Sequence, residues 1–209
     1  MYQHTRNYVY SGLPLAEARR VVIMIHGRGA NPQSILSLTR HLELKDAAFV
    51  APKASHNSWY PYSFLAPVEE NQPALDSALE IMHELVTDLK TKGFSSENIY
   101  FLGFSQGACL TLEYATRHAQ RYGGIFAFTG GLIGKQLQLS NYQGDFGDTP
   151  VLITTGDPDP HVPVSRVEET VRIMEKMHAK VTMKIYKGRP HTILGEELEL
   201  ANGVLREEE

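Results

Sequence analysis

The sequence contains a single cysteine, Cys109, among its 209 residues. One thiol cannot close a disulfide within the chain, and sparse cysteine is typical of proteins from a reducing compartment. The first twelve residues, MYQHTRNYVYSG, carry no apolar segment of the signal-peptide kind. Together, these features predict a cytoplasmic location.

Long hydrophobic runs and blocks of one charge are also missing. The longest aliphatic run, VVIMI at 21–25, is far too short to cross a bilayer. The formal net charge is −4, and the sequence has no basic stripe and no basic amphipathic helix. We therefore expect neither nucleic-acid binding nor stable membrane association.

The motifs of cofactor and metal sites are absent as well. No Walker-type loop or GxGxxG fingerprint follows a strand, and HGRGAN at 26–31 lacks the lysine and spacing of a phosphate loop. Potential metal ligands are scattered, apart from Asp157, Asp159 and His161 in a loop where aspartates commonly form turns. We expect no metal and no cofactor.

What is present is a regular alternation of strand-like and helix-like segments. Continuous apolar runs, typical of strands buried on both faces of a parallel sheet, are RVVIMIHG, AAFVAP, NIYFLGF, GIFAFTG, PVLITTG and VTMKIYKG. Helical patterns lie at about 73–93, after Ser105, at about 163–178 and from about 192. The alternation predicts one α/β domain over 1–209, with a mostly parallel sheet and helices on both faces. The more alternating RNYVYSG is expected to form an antiparallel edge strand.

Ser105 is the first candidate catalytic residue. It follows the strand-like NIYFLGF and opens a helical segment, at the edge of the sheet where such folds bind ligands. In the sequence GFSQG, Gly103 and Gly107 avoid clashes across a sharp turn that would expose the serine hydroxyl. A serine needs a base, and the base needs an orienting acid, to act as a nucleophile.

Both partners are available in the chain order Ser, Asp, His. Asp157 and Asp159 follow the strand-like PVLITTG, and His191 follows VTMKIYKG, the next such run. His161 is the competing base, but it shares its loop with the aspartates. The pattern predicts a triad of Ser105, His191 and one of the two aspartates.

Two backbone N–H groups are expected to form an oxyanion hole. Gln106 supplies one because it directly follows the serine. Arg28 supplies the other because Gly27 and Gly29 let this backbone approach the reacting carbon. We interpret His26 as structural support for that loop.

The sequence also offers candidate residues for the acyl pocket. Trp59, Tyr60 and Phe64 lie in a proline-containing loop on the expected active-site side, so they are candidate pocket residues. They could equally pack the loop onto the domain. About twenty residues separate GIFAFTG from PVLITTG, too few for the large helical lid of a lipase. An open site for small or soluble acyl groups is therefore expected.

The motifs HGRGAN, LGFSQGA, GDPDPHVP and RPHT resemble the acyl-protein thioesterase/carboxylesterase family of α/β-hydrolases, also called the phospholipase/carboxylesterase family. The resemblance implies an α/β-hydrolase fold with the nucleophile at Ser105 and the base at His191. It selects Asp159 as the acid and implies oxyanion donors at Arg28 and Gln106. Family members often carry an apolar residue in place of Arg28, and the polar entrance here argues against long acyl chains.

The sequence thus predicts a serine hydrolase that cleaves small or soluble carboxylic esters or thioesters through an acyl-enzyme. A peptidase or perhydrolase with the same triad is an alternative within the enzymes. An α/β-hydrolase-fold binding protein without activity is the alternative from another class. The sequence does not show whether the protein is a monomer or a homo-oligomer.

Overall fold

Seven strands form one sheet in the structure, a computed structural model that describes residues 3–207. Their bounds are β1 Tyr8–Gly12, β2 Arg20–Ile25, β3 Ala47–Pro52, β4 Ile99–Phe104, β5 Gly124–Phe128, β6 Pro150–Asp157 and β7 Lys180–Lys187. They lie in the order β1-β3-β2-β4-β5-β6-β7. β1 pairs antiparallel with β3 at one edge, and every other pair is parallel. The predicted strands and the antiparallel edge are confirmed.

The helices lie between the strands, except for the last, which follows β7, as the alternation predicts. Their bounds are α1 Pro32–Leu36, α2 Val68–Asn71, α3 Ala74–Thr91, α4 Gln106–Arg117, α5 Val164–Lys176 and α6 Gly195–Glu207. Short 3-10 helices cover Ser37–His41, Ser55–Asn57, Ser96–Asn98 and Leu139–Asn141. No helix within residues 3–207 combines the length and the apolar character that crossing a membrane requires.

Two hydrophobic cores cover the two faces of the sheet. Successive side chains of a strand point to opposite faces, and β2 shows this clearly. Val21, Ile23 and Ile25 pack in one core with residues of α3, α4 and α5. Val22 and Met24 pack in the other with residues of α1 and α6. The predicted coverage of both faces by helices is confirmed.

The loops at the carboxyl edge of the sheet carry the predicted site residues. Arg28 follows β2, Ser105 follows β4, Asp159 follows β6 and His191 follows β7. The connection from β5 to β6 is short and contains one 3-10 helix, Leu139–Asn141, so no large helical lid covers this edge within residues 3–207.

Candidate active site

Ser105 sits on the sharp turn between β4 and α4. Its backbone has φ 54° and ψ −119°, a conformation that is costly for a residue with a side chain. Two hydrogen bonds fix the turn. The Ser105 N–H donates to the carbonyl oxygen of Phe128 at 3.0 Å, and the Cys109 N–H donates to the Ser105 carbonyl oxygen at 3.0 Å.

The glycines on either side of Ser105 are required by close packing. A Cβ on Gly103 would lie 2.5 Å from the carbonyl oxygen of Gly107, which is the predicted clash across the turn. A Cβ on Gly107 would lie 2.1 Å from the carbonyl oxygen of Ile25. The second contact joins α4 to the end of β2, so Gly107 also sets how closely Ser105 approaches the loop after β2.

The structure brings Ser105, His191 and Asp159 into one chain of hydrogen bonds. His191 Nε2 lies 2.8 Å from Ser105 Oγ, and His191 Nδ1 lies 2.8 Å from Asp159 Oδ2. An ionised carboxylate only accepts hydrogen bonds, so the proton of the neutral imidazole belongs on Nδ1. Nε2 is then left to accept the hydroxyl proton of Ser105.

Asp159 is held in its ionised form. Burial alone would raise the pKa of this carboxyl, but the hydrogen bond from His191 and two backbone N–H groups outweigh it and lower the pKa from 3.8. The two N–H groups belong to His161 and Val162, which donate to Oδ1 at 2.9 and 3.0 Å. Asp157, the other candidate acid, is the last residue of β6 and is exposed.

Two rings flank the imidazole of His191. The Phe104 ring centroid lies 5.2 Å away, and the His161 ring meets His191 edge-on at 5.1 Å. His161 is therefore a neighbour of His191, and its ring is not the one that contacts Ser105 in the hydrogen-bond chain.

The loop after β2 packs directly beside Ser105. A Cβ on Gly27 would lie 3.5 Å from the Ser105 Cβ, an ordinary van der Waals contact, so the loop runs close beside the serine. Gln106 begins α4, and its N–H has no acceptor within the helix. The Arg28 N–H donates to no acceptor within residues 3–207. Both amides thus retain a free N–H beside the serine.

A cleft of about 750 Å³ opens above these residues. Besides the five predicted catalytic and oxyanion residues, its lining includes Tyr60, Tyr62, Phe64, Leu65, Cys109, His161 and Pro163. Tyr60 and Phe64, two of the candidate pocket residues, line this cleft. Cys109 lies below it and is 1% exposed, and burial raises the pKa of its thiol to about 12. It is not an activated second nucleophile.

The expectation that Trp59 lines the pocket is wrong. Its side chain is 0% exposed and faces the core, away from the cleft. The indole N–H donates to the carbonyl oxygen of His26 at 2.9 Å, and the rings of His26 and His4 pack against the indole. Burial lowers the pKa values of both histidines. The structural role of His26 agrees with the interpretation above, whereas sequence reasoning missed His4.

Residues 13–207 match the sequence profile of the phospholipase/carboxylesterase family. The chain belongs to this family. A phospholipase/carboxylesterase from Dyadobacter fermentans is 56% identical, with a TM-score of 0.97 and 99% of both chains covered.

Two further relatives come from eukaryotes. Acyl-protein thioesterase 1 of Kluyveromyces lactis is 28% identical over 202 residues, which is 87% of this chain and 89% of that protein. A probable carboxylesterase of Arabidopsis thaliana, SOBER1-like, is 26% identical over 210 residues, or 91% and 79% of the two chains. The predicted family and α/β-hydrolase fold are confirmed. The chain is a hydrolase of the carboxylesterase and thioesterase type.

A buried ion pair lies close to His191, and sequence reasoning missed it. Arg189 and Glu197 are 2% and 0% exposed at their side chains, and Arg189 Nη1 lies 2.5 Å from Glu197 Oε1. Thr154 and the Leu194 N–H also donate to this carboxylate, while Arg189 donates to Thr129. The network joins β5, β6 and α6 around the loop that carries the histidine.

A larger groove of about 970 Å³ lies at the opposite, amino-terminal edge of the sheet. It is lined mainly by charged side chains, which include two ion pairs, Arg20–Asp46 and Arg206–Glu43. None of the predicted catalytic residues lines it. The smaller cleft, which contains the hydrogen-bonded serine, is therefore the candidate active site.

Proposed function

We propose that this member of the family is a serine hydrolase that cleaves small or soluble carboxylic esters or thioesters through an acyl-enzyme. The observation that carries the proposal is the unbroken chain of hydrogen bonds from Ser105 Oγ through His191 to Asp159, 2.8 Å at each step. The strained backbone conformation of Ser105 also supports the proposal, because such conformations cluster at functional sites.

In the first half of the reaction, Ser105 Oγ attacks the acyl carbon and its proton passes to His191 Nε2. Asp159 stabilises the resulting imidazolium, and the carbonyl oxygen becomes an oxyanion that accepts hydrogen bonds from the Arg28 and Gln106 N–H groups. The tetrahedral intermediate then collapses. The bond to the leaving group breaks, and an alkoxide or thiolate takes the proton from Nε2.

In the second half, water replaces the leaving group. His191 Nε2 removes a proton from the water as the oxygen attacks the acyl-enzyme carbon. Collapse of the second tetrahedral intermediate breaks the bond to Ser105 Oγ, which recovers its proton from the imidazolium. The products are a carboxylic acid and the free enzyme.

The proposed preference for compact acyl groups rests on the walls of the cleft. Tyr60 and Cys109 close it below and are 2% and 1% exposed. Phe64 and Leu65 form part of its side, and the entrance is open because no large helical lid covers it within residues 3–207. We infer that the buried side chains at its base limit the depth available to an acyl chain, which favours compact acyl groups.

Hydrolysis of p-nitrophenyl acetate and of an acetyl thioester, followed with the wild type and Ser105→Ala, tests the reaction class. We expect wild-type turnover with a burst of leaving group at high enzyme concentration. Loss of the hydroxyl should lower kcat by at least about 10⁴-fold. A wild type without turnover would favour the binding-protein alternative, and an unchanged Ser105→Ala would exclude the serine as nucleophile.

The role of Asp159 is tested by a matched pair in the same loop. Asp159→Asn should lower kcat by about 10⁴-fold, because an amide cannot hold the imidazole in the required tautomer. Asp157→Asn changes the same chemical group at an exposed position, so activity should stay within about twofold of wild type. The reverse result would assign the acid to Asp157.

A further inference from the structure

Arg28 does more at this site than present a backbone N–H group. Its guanidinium donates to three residues of the loop that forms one wall of the cleft. Nη1 donates to Ser58 Oγ at 3.1 Å and to the Pro61 carbonyl oxygen at 2.7 Å, and Nη2 donates to the Tyr62 carbonyl oxygen at 2.6 Å. The guanidinium carbon also lies 5.8 Å from the centre of the Tyr60 ring.

Gln106 holds the other half of the same loop. Its Oε1 accepts a hydrogen bond from the Trp59 N–H at 2.9 Å, and its Nε2 donates to the Tyr60 carbonyl oxygen at 2.8 Å. The two proposed oxyanion donors therefore fix, through their side chains, the backbone of residues 59–62. This arrangement ties the position of the wall to the position of the reacting carbon.

We propose that Arg28 is a specificity-determining residue, whose guanidinium clamps the 58–62 wall and thereby restricts the cleft to short acyl groups. The inference rests on the proposed function, since acyl-chain selectivity presupposes hydrolysis. The clamp depends on geometry as well as charge. A planar guanidinium reaches three acceptors in fixed directions, whereas a lysine ammonium is a single point of positive charge on a flexible stem.

The rest of the loop is held independently of Arg28. Asn71 accepts a hydrogen bond from the Tyr62 N–H at 2.8 Å and donates to the Ser63 carbonyl oxygen at 2.9 Å, and the Phe64 carbonyl oxygen accepts one from Gly134 at 2.7 Å. Loss of the Arg28 side chain should therefore free the Pro61 and Tyr62 carbonyl groups without unfolding the loop. The backbone amide of residue 28 stays available to the oxyanion.

The test compares Arg28→Met and Arg28→Lys with wild type on p-nitrophenyl esters from acetate to decanoate. Arg28→Met should raise the ratio of kcat/KM for octanoate to that for acetate by about tenfold, the scale on which pocket fit discriminates chain length. Arg28→Lys keeps the charge but loses the planar guanidinium, so its ratio should lie closer to that of Arg28→Met than to that of wild type. Arg172→Met, an exposed arginine of α5, is the matched control and should leave the ratio unchanged.

Two results would overturn the inference: an unchanged ratio in Arg28→Met, whether or not its overall activity falls, or a wild-type ratio in Arg28→Lys. Hydrogen exchange of peptides covering residues 58–66 provides a readout that needs no activity. Arg28→Met should accelerate exchange there, and unchanged exchange would contradict the clamp. A wild type that hydrolyses no ester would refute the proposed function instead, and the exchange result would still decide whether Arg28 fixes the wall.

Discussion

Glu197→Gln is expected to destabilise the protein strongly, because all three partners of this carboxylate are donors. Glu197 Oε1 accepts from Arg189 and Thr154, and Oε2 accepts from the Leu194 N–H. A glutamine offers one carbonyl oxygen, and its NH₂ group must face at least one of these donors. The Arg189 guanidinium, 2% exposed, would also lose its counter-charge.

Breaking a buried ion pair from one side costs about 3–5 kcal/mol. For a chain of this size, that loss corresponds to a fall in Tm of about 6–20 °C. Because Arg189 lies two residues before His191, the same change should also lower kcat. The cost comes mainly from the stranded charge, so Arg189→Met/Glu197→Met should recover most of the lost stability.

Urea and thermal unfolding followed by circular dichroism measure the effect. Glu199→Gln, the same change at an exposed position of α6, is the control and should alter the free energy of unfolding by no more than about 0.5 kcal/mol. A loss below about 1 kcal/mol in Glu197→Gln would refute the view that the pair is buried and fully desolvated.

Three other measurements probe different parts of the structure. Gly107→Ala should lower kcat by about 100-fold, because its Cβ would lie 2.1 Å from a carbonyl oxygen of β2 and would displace Ser105. Gly203→Ala, which has open space around it, is the control and should leave kcat unchanged. A wild-type kcat in Gly107→Ala would contradict the close packing of this turn. Cys109 should resist iodoacetamide in the native protein, because it is 1% exposed and burial raises its pKa to about 12; rapid native alkylation would contradict this burial. The free energy of unfolding should fall as the pH drops below about 6.5, because burial lowers the pKa values of His4 and His26 and the unfolded chain then binds more protons than the folded one. Urea titrations in which the free energy of unfolding rises on acidification would contradict this.

Much of the fold follows from local patterns in the sequence. Buried strands of a parallel sheet need apolar residues on both faces, so continuous apolar runs predict β2 to β6. β7 lies at the edge of the sheet and has no buried residue, so its run VTMKIYKG predicts a strand but not its exposure. The positions of Ser105, Asp159 and His191 directly after parallel strands then place them at one edge of the sheet. Local sequence could not choose between Asp157 and Asp159, because that choice depends on which side chain faces the His191 loop.

The features that sequence reasoning missed depend on contacts between distant residues. Whether Trp59 faces the cleft or the core is decided by His4, which covers it from 55 residues away. Arg189 and Glu197 look like ordinary surface charges until the fold brings them together. Arg28 appears in the sequence only as a polar residue between glycines, and its role as a clamp depends on where the 58–62 loop runs.

Labelling with a fluorophosphonate tests the nucleophile most directly. The native protein should gain the mass of one phosphonyl group, and peptide mapping should locate it on Ser105. Ser105→Ala and denatured wild type should remain unlabelled, since only a serine activated by His191 displaces fluoride from the reagent. A native protein that stays unmodified, or that is modified equally in Ser105→Ala, would contradict the proposed catalytic triad.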